Sequence, residues 1–157
     1  MIESTCVYLQ KPTAWLFLLR NKKEQDLNAG YWIGVGGKRK PDESVRACAM
    51  REVWEETGLK MREPLYCGRL YFQMGDSICE KITLYTCSHF YGEMHPNPEG
   101  TSAWIAKEHI LELRLWPGDR IFLRRLLQGG AVPFTLRLIY DAQGNLLNWM
   151  EMEPENE

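Results

Sequence analysis

The chain has no Cys-x-x-Cys pair. Its five cysteines, Cys6, Cys48, Cys67, Cys79 and Cys87, are odd in number and scattered. That argues against a disulfide framework or a zinc site and for reduced core thiols. It also lacks a long apolar run, since no segment approaches the roughly 18 residues of a membrane-spanning helix. The first residues, MIESTCVYLQ, carry no basic stretch ahead of an apolar one, so a cytoplasmic location with no membrane partner is expected. Charge of neither sign dominates. A net charge of −2 and a pI near 6.0 remove the electrostatic reason to expect a nucleic acid polymer as partner. Repeats and low-complexity linkers are absent. With 45% hydrophobic and 25% charged residues, residues 1–157 read as a single domain able to bury a core without staples.

What is present begins with strands. Residues 5–10 and 14–20 have strand character and are joined by the Lys11-Pro12-Thr13 turn, a hairpin-like start. Residues 21–30 are polar and loop-like. Residues 65–74 and 81–91 are rich in Tyr, Phe, Leu and Ile around a Gly75-Asp76-Ser77 turn. A short strand over 101–106 precedes a helical turn over 107–111. Apolar residues at 122, 123, 126 and 127 then predict a helix over 119–128, ended by Gly129-Gly130. A last strand pair, 133–140 and 146–152, flanks the turn at 141–145, and the acidic stretch 151–157 reads as frayed. Predominant strands with two helices fit an α/β fold, helices packed on the faces of a mixed sheet.

One stretch concentrates chemistry. Residues 37–59 read GKRKPDESVRACAMREVWEETGL. Ser44 is suited to cap a helix and Gly58 to end it in the left-handed conformation. Val45, Ala49 and Val53 make an apolar stripe at i, i+4, i+8, with Trp54 pointing away from the acidic edge. On that edge Glu55 and Glu56 project within about 60° of Glu52, on either side of it. Like charges so placed destabilise a helix by a few tenths of a kcal/mol per pair. A hard divalent cation with oxygen ligands reverses that sign. An acidic helix edge is ordinarily a solvated face. Here it is preceded by a glycine-rich loop, Gly34-Val35-Gly36-Gly37-Lys38, which brings backbone groups close to a ligand and offers a lysine to an anion.

The pattern Gly37, Glu43, Arg51-Glu52-Val53, Glu55-Glu56, Gly58-Leu59 resembles the Nudix box at every defined position. The Trp32–Lys38 and Trp116–Asp119 segments and the closing strand pair extend the likeness over nearly the whole chain. They resemble the MutT-like branch, bacterial 8-oxo-dGTP diphosphatases above all. The resemblance implies a Nudix-type α/β/α sandwich and hydrolysis of a nucleoside diphosphate linkage with Mg²⁺ or Mn²⁺ as cofactor. Pyrophosphate is densely anionic, so its cleavage calls for charge neutralisation, a positioned water and a stabilised leaving phosphate.

Carried over by position, Glu52, Glu55 and Glu56 match the metal-binding glutamates, and Gly36 or Gly37 matches a carbonyl ligand. Glu99, outside the box, matches an additional glutamate of the branch, and the general base is left open among Glu52, Glu55 and Glu99. Arg51 is grouped with the catalytic set, although its pairing with Glu43 across eight positions has a structural reading, orienting the helix. Lys38 matches a phosphate contact, and Lys22 and Lys23 are further cations near the triphosphate. Trp116, Asp119 and Phe72 match residues that hold a purine; the alternative for the first two is a core tryptophan and a helix N-cap. Ile33 stands where the mammalian enzyme has an asparagine that hydrogen-bonds the oxidised base, and Gly118 where it has a second aspartate. Both replacements remove hydrogen bonds of the kind that give strong base discrimination.

The leading expectation is an Mg²⁺-dependent nucleoside triphosphate pyrophosphohydrolase acting on oxidised purine nucleotides such as 8-oxo-dGTP and releasing monophosphate and pyrophosphate. Hydrolysis of ADP-ribose or of a dinucleoside polyphosphate is the alternative. A non-catalytic nucleotide-binding regulator is disfavoured because the box glutamates are all present. An isopentenyl diphosphate isomerase is disfavoured because Cys67, Cys79 and Cys87 lie in strand patterns. A long N-terminal extension of the kind many ADP-ribose hydrolases use to dimerise is not expected, and a monomer or weak homodimer is.

Overall fold

A computed structural model describes residues 1–22, 26–130 and 132–157. Ten strands and two α-helices follow in the order β1 (Ile2–Leu9), β2 (Ala14–Leu19), β3 (Trp32–Ile33), α1 (Val45–Thr57), β4 (Leu59–Arg62), β5 (Leu65–Met74), β6 (Ser77–Cys87), β7 (His89–Gly92), β8 (Thr101–Ala106), α2 (Pro117–Gln128), β9 (Phe134–Tyr140) and β10 (Leu146–Met152), with a 3-10 helix at Lys107–Glu112. The main sheet runs β1-β6-β5-β9-β10. It is mixed, because β1 lies parallel to β6 and β5 parallel to β9 while β5–β6 and β9–β10 are antiparallel. A second sheet, β3-β2-β8, and the β4-β7 pair complete the structure. No helix among the described residues is long and apolar enough to cross a membrane.

The apolar side chains segregate into two clusters. Ala49 and Val53 of α1 pack with Val7, Leu9, Leu16, Val35 and Tyr85. Phe122 and Leu123 of α2 pack with Tyr8, Phe17, Leu70, Leu84, Leu136 and Leu138. Strands β1 and β2 contribute to both clusters because their central residues are buried on both faces. Each helix thus covers its own core, and the α/β layering holds as the sequence predicts.

Two expectations need correction. Strands β1 and β2 do not form a hairpin; they belong to different sheets and share one bridge, Gln10 to Trp15. The edge of β1 that a hairpin partner would take is filled by the glycine-rich loop. Thr5 N–H donates to the Gly37 carbonyl at 2.9 Å, and Val7 and Val35 exchange backbone bonds at 2.7 and 3.0 Å. The acidic end of the chain is not frayed either. Tyr66 Oη donates to the Glu155 carbonyl at 2.7 Å, and Arg69 Nη1 donates to the Asn156 carbonyl at 2.8 Å. Glu157 accepts from Tyr85 Oη at 2.8 Å and from Arg46 at 2.8 and 2.9 Å. This docking is polar and long-range, so no apolar periodicity announces it.

Candidate active site

Helix α1 starts and stops where its caps require. The Ser44 hydroxyl accepts Ala47 N–H at 3.0 Å, and Gly58 closes the helix at φ 82° with its N–H on the Trp54 carbonyl. Inside the last turn the buried Thr57 hydroxyl donates to the Val53 carbonyl at 2.6 Å and accepts Leu59 N–H at 3.0 Å. These bonds join α1 firmly to β4, a strand absent from the sequence expectations. With Ala49 and Val53 buried and Trp54 53% exposed, the acidic edge is left at the rim of the cleft.

Arg51 organises that edge. Its guanidinium grips Glu43 with two bonds, Nη2 to Oε1 at 2.7 Å and Nε to Oε2 at 3.0 Å. It also donates to Glu52 at 2.9 Å, to Glu55 at 3.2 Å and to the Lys38 carbonyl at 3.2 Å. Bidentate pairing with Arg51 and a bond from Lys40 N–H hold the Glu43 carboxyl down to about 2. The same partners raise the already high basicity of Arg51. Arg51 therefore spans the loop before the helix, the glycine-rich loop and two of the three edge carboxylates.

Glu56 lies deeper. Its carboxylate accepts Gly36 N–H at 3.3 Å. Burial, then the charges of Glu52 and Glu99, push its carboxyl up to about 8. Glu99, from the segment before β8, thus lies within electrostatic reach of Glu56, and it also pairs with Arg20 Nη1 at 3.3 Å. The glycines are required by contact. A Cβ at Gly37 would stand 2.5 Å from the Glu52 carboxylate, and one at Gly36 would stand 1.9 Å from the Thr5 carbonyl oxygen.

Among the described residues no three His, Cys, Asp or Glu side chains converge closely enough to enclose a cation; Glu52 and Glu55 are turned toward Arg51. The donor chemistry nonetheless fits a hard divalent ion. Carboxylates gathered at the rim, one of them pushed up by burial and then by its like-charged neighbours, are what such an ion relieves. Glu52, Glu56 and Glu99 are the side chains that could hold it, with Glu55 more exposed at the margin.

The same glycines form one wall of a cavity of about 320 Å³, lined further by Arg20, Ile33, Lys38, Phe72, Trp116, Asp119, Leu138 and Tyr140. Trp116 is set rather than free. Its ring stacks on Tyr31 with centroids 4.6 Å apart, and its Nε1 donates to Asn28 at 2.8 Å. Pro117 opens α2 and Asp119 falls in its first turn. Asp119 is not the N-cap; Trp116 occupies that position without a side-chain bond. Burial pushes the Asp119 carboxyl up to about 7.

The structure therefore brings Ile33, Gly36, Gly37, Lys38, Phe72, Trp116 and Asp119 to one cleft, with Glu52 and Glu56 against its glycine wall. Lys23 lies outside the described residues, and Lys22 donates to the Asn97 carbonyl at 2.8 Å. Sequence reasoning missed Arg20, which directly follows β2 and pairs with Asp26 at 2.5 Å, and Tyr140, Leu138, Glu80 and Cys6, which also line the cavity. Arginine at a strand end beside a polar loop was the one available signal. The others read as ordinary strand residues.

Comparison with known proteins agrees with this geometry. A model of the NUDIX domain matches residues 3–126. The chain is 29% identical over 112 residues to the oxidized purine nucleoside triphosphate hydrolase of Mus musculus, covering 71% of this chain and 72% of that protein. It is 28% identical over 119 residues to the CTP pyrophosphohydrolase of Escherichia coli, covering 76% and 86%. The crystal structure of a MutT protein from Bacillus halodurans superposes with a TM-score of 0.86 over 96% of this chain and 97% of that one, at 24% identity, a likeness of fold. The matched span contains the acidic helix edge, the glycine wall and the Trp116–Asp119 end of the cleft, and the chain belongs to the Nudix family, among its MutT-like hydrolases.

Proposed function

We propose that the protein hydrolyses purine nucleoside triphosphates, oxidised ones such as 8-oxo-dGTP among them, to the monophosphate and pyrophosphate in a reaction dependent on Mg²⁺ or Mn²⁺. The observation that carries this reading is the shared wall. Gly36 and Gly37 rest on Glu56 and Glu52 on one side and line the aromatic cleft on the other. A base held between Phe72 and Trp116 would thus direct its phosphates along the glycine loop toward the carboxylates.

A divalent cation bound by Glu52, Glu56 and Glu99 would neutralise the pyrophosphate and favour a water nucleophile. The remaining roles belong to the chain itself. Arg51 positions Glu52 and Glu55 without needing to touch substrate, because its strongest bonds go to Glu43. Lys38 supplies positive charge where the loop enters the cleft. Trp116, braced by Tyr31 and Asn28, offers a rigid stacking face. Asp119 accepts N–H groups when ionised and donates when protonated, so it can read a base edge either way. Ile33 offers no hydrogen bond, which leaves Asp119 and backbone groups to carry the preference for an oxidised base.

A turnover screen tests this directly. It compares dGTP, 8-oxo-dGTP, dATP, CTP, ADP-ribose and diadenosine polyphosphates with saturating Mg²⁺. Purine triphosphates should lead, with 8-oxo-dGTP ahead of dGTP. Equal rates for oxidised and ordinary purines would remove the oxidised-base assignment, and faster turnover of CTP or ADP-ribose would remove the purine one.

A further inference from the structure

Asp119 has a polar neighbour at the deep end of the cleft. The Tyr140 side chain, at the end of β9, is 1% exposed. Its ring lies tilted against Phe72 with centroids 4.9 Å apart, and edge-on to Trp116 at 5.8 Å. Those contacts fix the ring, and its hydroxyl accepts Gly118 N–H at 2.8 Å. A Cβ at position 118 would stand 2.5 Å from that hydroxyl oxygen and 2.8 Å from Leu138 Cδ1. The hydroxyl therefore fills the space into which a side chain at 118 would grow. Tyr140, Asp119 and Phe72 all line the same cavity.

The hydrogen-bond inventory here is incomplete. A phenol has one proton to give and an oxygen that accepts. Gly118 N–H uses the accepting side, and among the described residues no side chain or carbonyl takes the proton. None donates to the Asp119 carboxylate either. Burial and the Asp119 charge both keep Tyr140 protonated, so the donor is permanent. Buried polar groups without partners are costly, and a ligand that satisfies both is favoured over one that satisfies a single group. A guanine-type edge carries a carbonyl oxygen that accepts from a phenol, beside two N–H groups that one carboxylate can receive together. An adenine-type edge has one N–H group fewer for the carboxylate.

We propose that the Tyr140 hydroxyl, held by Gly118 N–H, is a specificity-determining donor to the 6-oxo oxygen of a bound purine, acting beside Asp119. The phenol would thereby supply the second base contact that glycine at position 118 cannot. The identity of the ligand as a nucleotide rests on the function proposed above, but base reading can be measured without turnover.

The test is equilibrium binding of dGMP and dAMP, by calorimetry, to the wild type, Tyr140→Phe and Gly118→Ala, with thermal melts to confirm folding. The wild type should bind dGMP more tightly. Tyr140→Phe keeps the ring and should lower dGMP affinity by about five- to tenfold, with a smaller loss for dAMP, so that the ratio narrows. Gly118→Ala, which crowds the hydroxyl, should narrow the ratio as well, and it decides the matter alone if Tyr140→Phe does not fold. Equal losses for both nucleotides would make Tyr140 a packing residue and overturn the proposal. So would unchanged dGMP affinity in Tyr140→Phe, or a wild type that prefers dAMP or binds neither. A binding ratio that behaves as expected in a protein without triphosphate turnover would uphold the base contact and count against the hydrolase reading.

Discussion

The acidic edge of α1 and the deep end of the cleft are built in opposite ways. The edge comes from one helix and the loop before it. Glu43, Arg51, Glu52, Glu55 and Glu56 lie within 14 consecutive residues, and a single guanidinium ties three of the carboxylates together. The cleft is drawn from β1, β3, β5, β6, α2 and β9, together with Trp116 just ahead of α2. Chemistry common to every phosphate substrate can be encoded in a contiguous motif, because the helix alone sets the spacing. Base selection needs a shaped enclosure, so its residues come from several elements and can change one at a time.

The contrast predicts different failures at the two ends. Glu56→Gln, at the chemical end, should keep the fold and lower kcat by about a hundredfold or more, the scale of a removed charge-stabilising group. Glu52→Gln should behave alike. Near-normal turnover of either variant at saturating Mg²⁺ would strip that residue of its role.

Arg51→Ala should act on stability first. The Arg51 and Glu43 side chains are only 21% and 14% exposed, so stranding Glu43 should cost about 2 kcal/mol, less than for a fully buried pair. That amounts to a melting temperature lower by roughly 4–8 °C. The pH dependence has a definite sign. The Glu43 carboxyl is held at about 2, below its ordinary 4.5, so the pair's contribution is complete above pH 4.5 and is lost as pH falls through 2. The melting gap between wild type and Arg51→Ala should therefore close in acid. Unchanged stability with a selective loss in kcat would instead make Arg51 a direct phosphate ligand.

At the other end, Trp116→Ala should raise KM for purine triphosphates by about tenfold, within the roughly 1–3 kcal/mol of a lost stacking contact. Inhibition by inorganic triphosphate should stay as it was; a parallel loss there would move Trp116 out of base recognition. The smallest effect is expected from Asp119→Asn, which should shrink the preference for 8-oxo-dGTP over dGTP. It should also relieve a folding penalty. Burial places the Asp119 carboxyl at about 7 rather than 3.8, so ionisation works against the folded state increasingly as pH rises between those values. The asparagine variant should gain on the wild type across that window and hold its gain above pH 7. A gap that does not change with pH would contradict the buried, ligand-free carboxyl.

How far the sequence could be read follows the same division. The capped helix and its acidic edge are spelled out by local spacing, the Arg51–Glu43 pair is implied by the family resemblance, and the helix of residues 45–57 carries its caps at Ser44 and Gly58 as expected. The strands over 65–74 and 101–106 also appear with those bounds. What could not be read depends on long-range pairing. Strand β1 is parallel to β6 and has its other edge closed by the glycine loop, an arrangement that turn chemistry at residues 11–13 does not reveal. The docking of residues 155–157 on Tyr66, Arg69 and Tyr85 likewise joins distant polar groups. Tyr140 falls in a strand whose alternation says only that it points inward. Its role in the cleft emerges once Gly118 is seen to leave room for the hydroxyl.

The central claim is that the acidic edge and the aromatic cleft form one metal-dependent site for nucleotide pyrophosphate hydrolysis. Its most direct test is product analysis for 8-oxo-dGTP with the full chain, first in excess EDTA and then after Mg²⁺ is restored. The expected result is no turnover under chelation, followed by equimolar monophosphate and pyrophosphate once the metal returns. Turnover in excess chelator, or release of a diphosphate with inorganic phosphate, would contradict it.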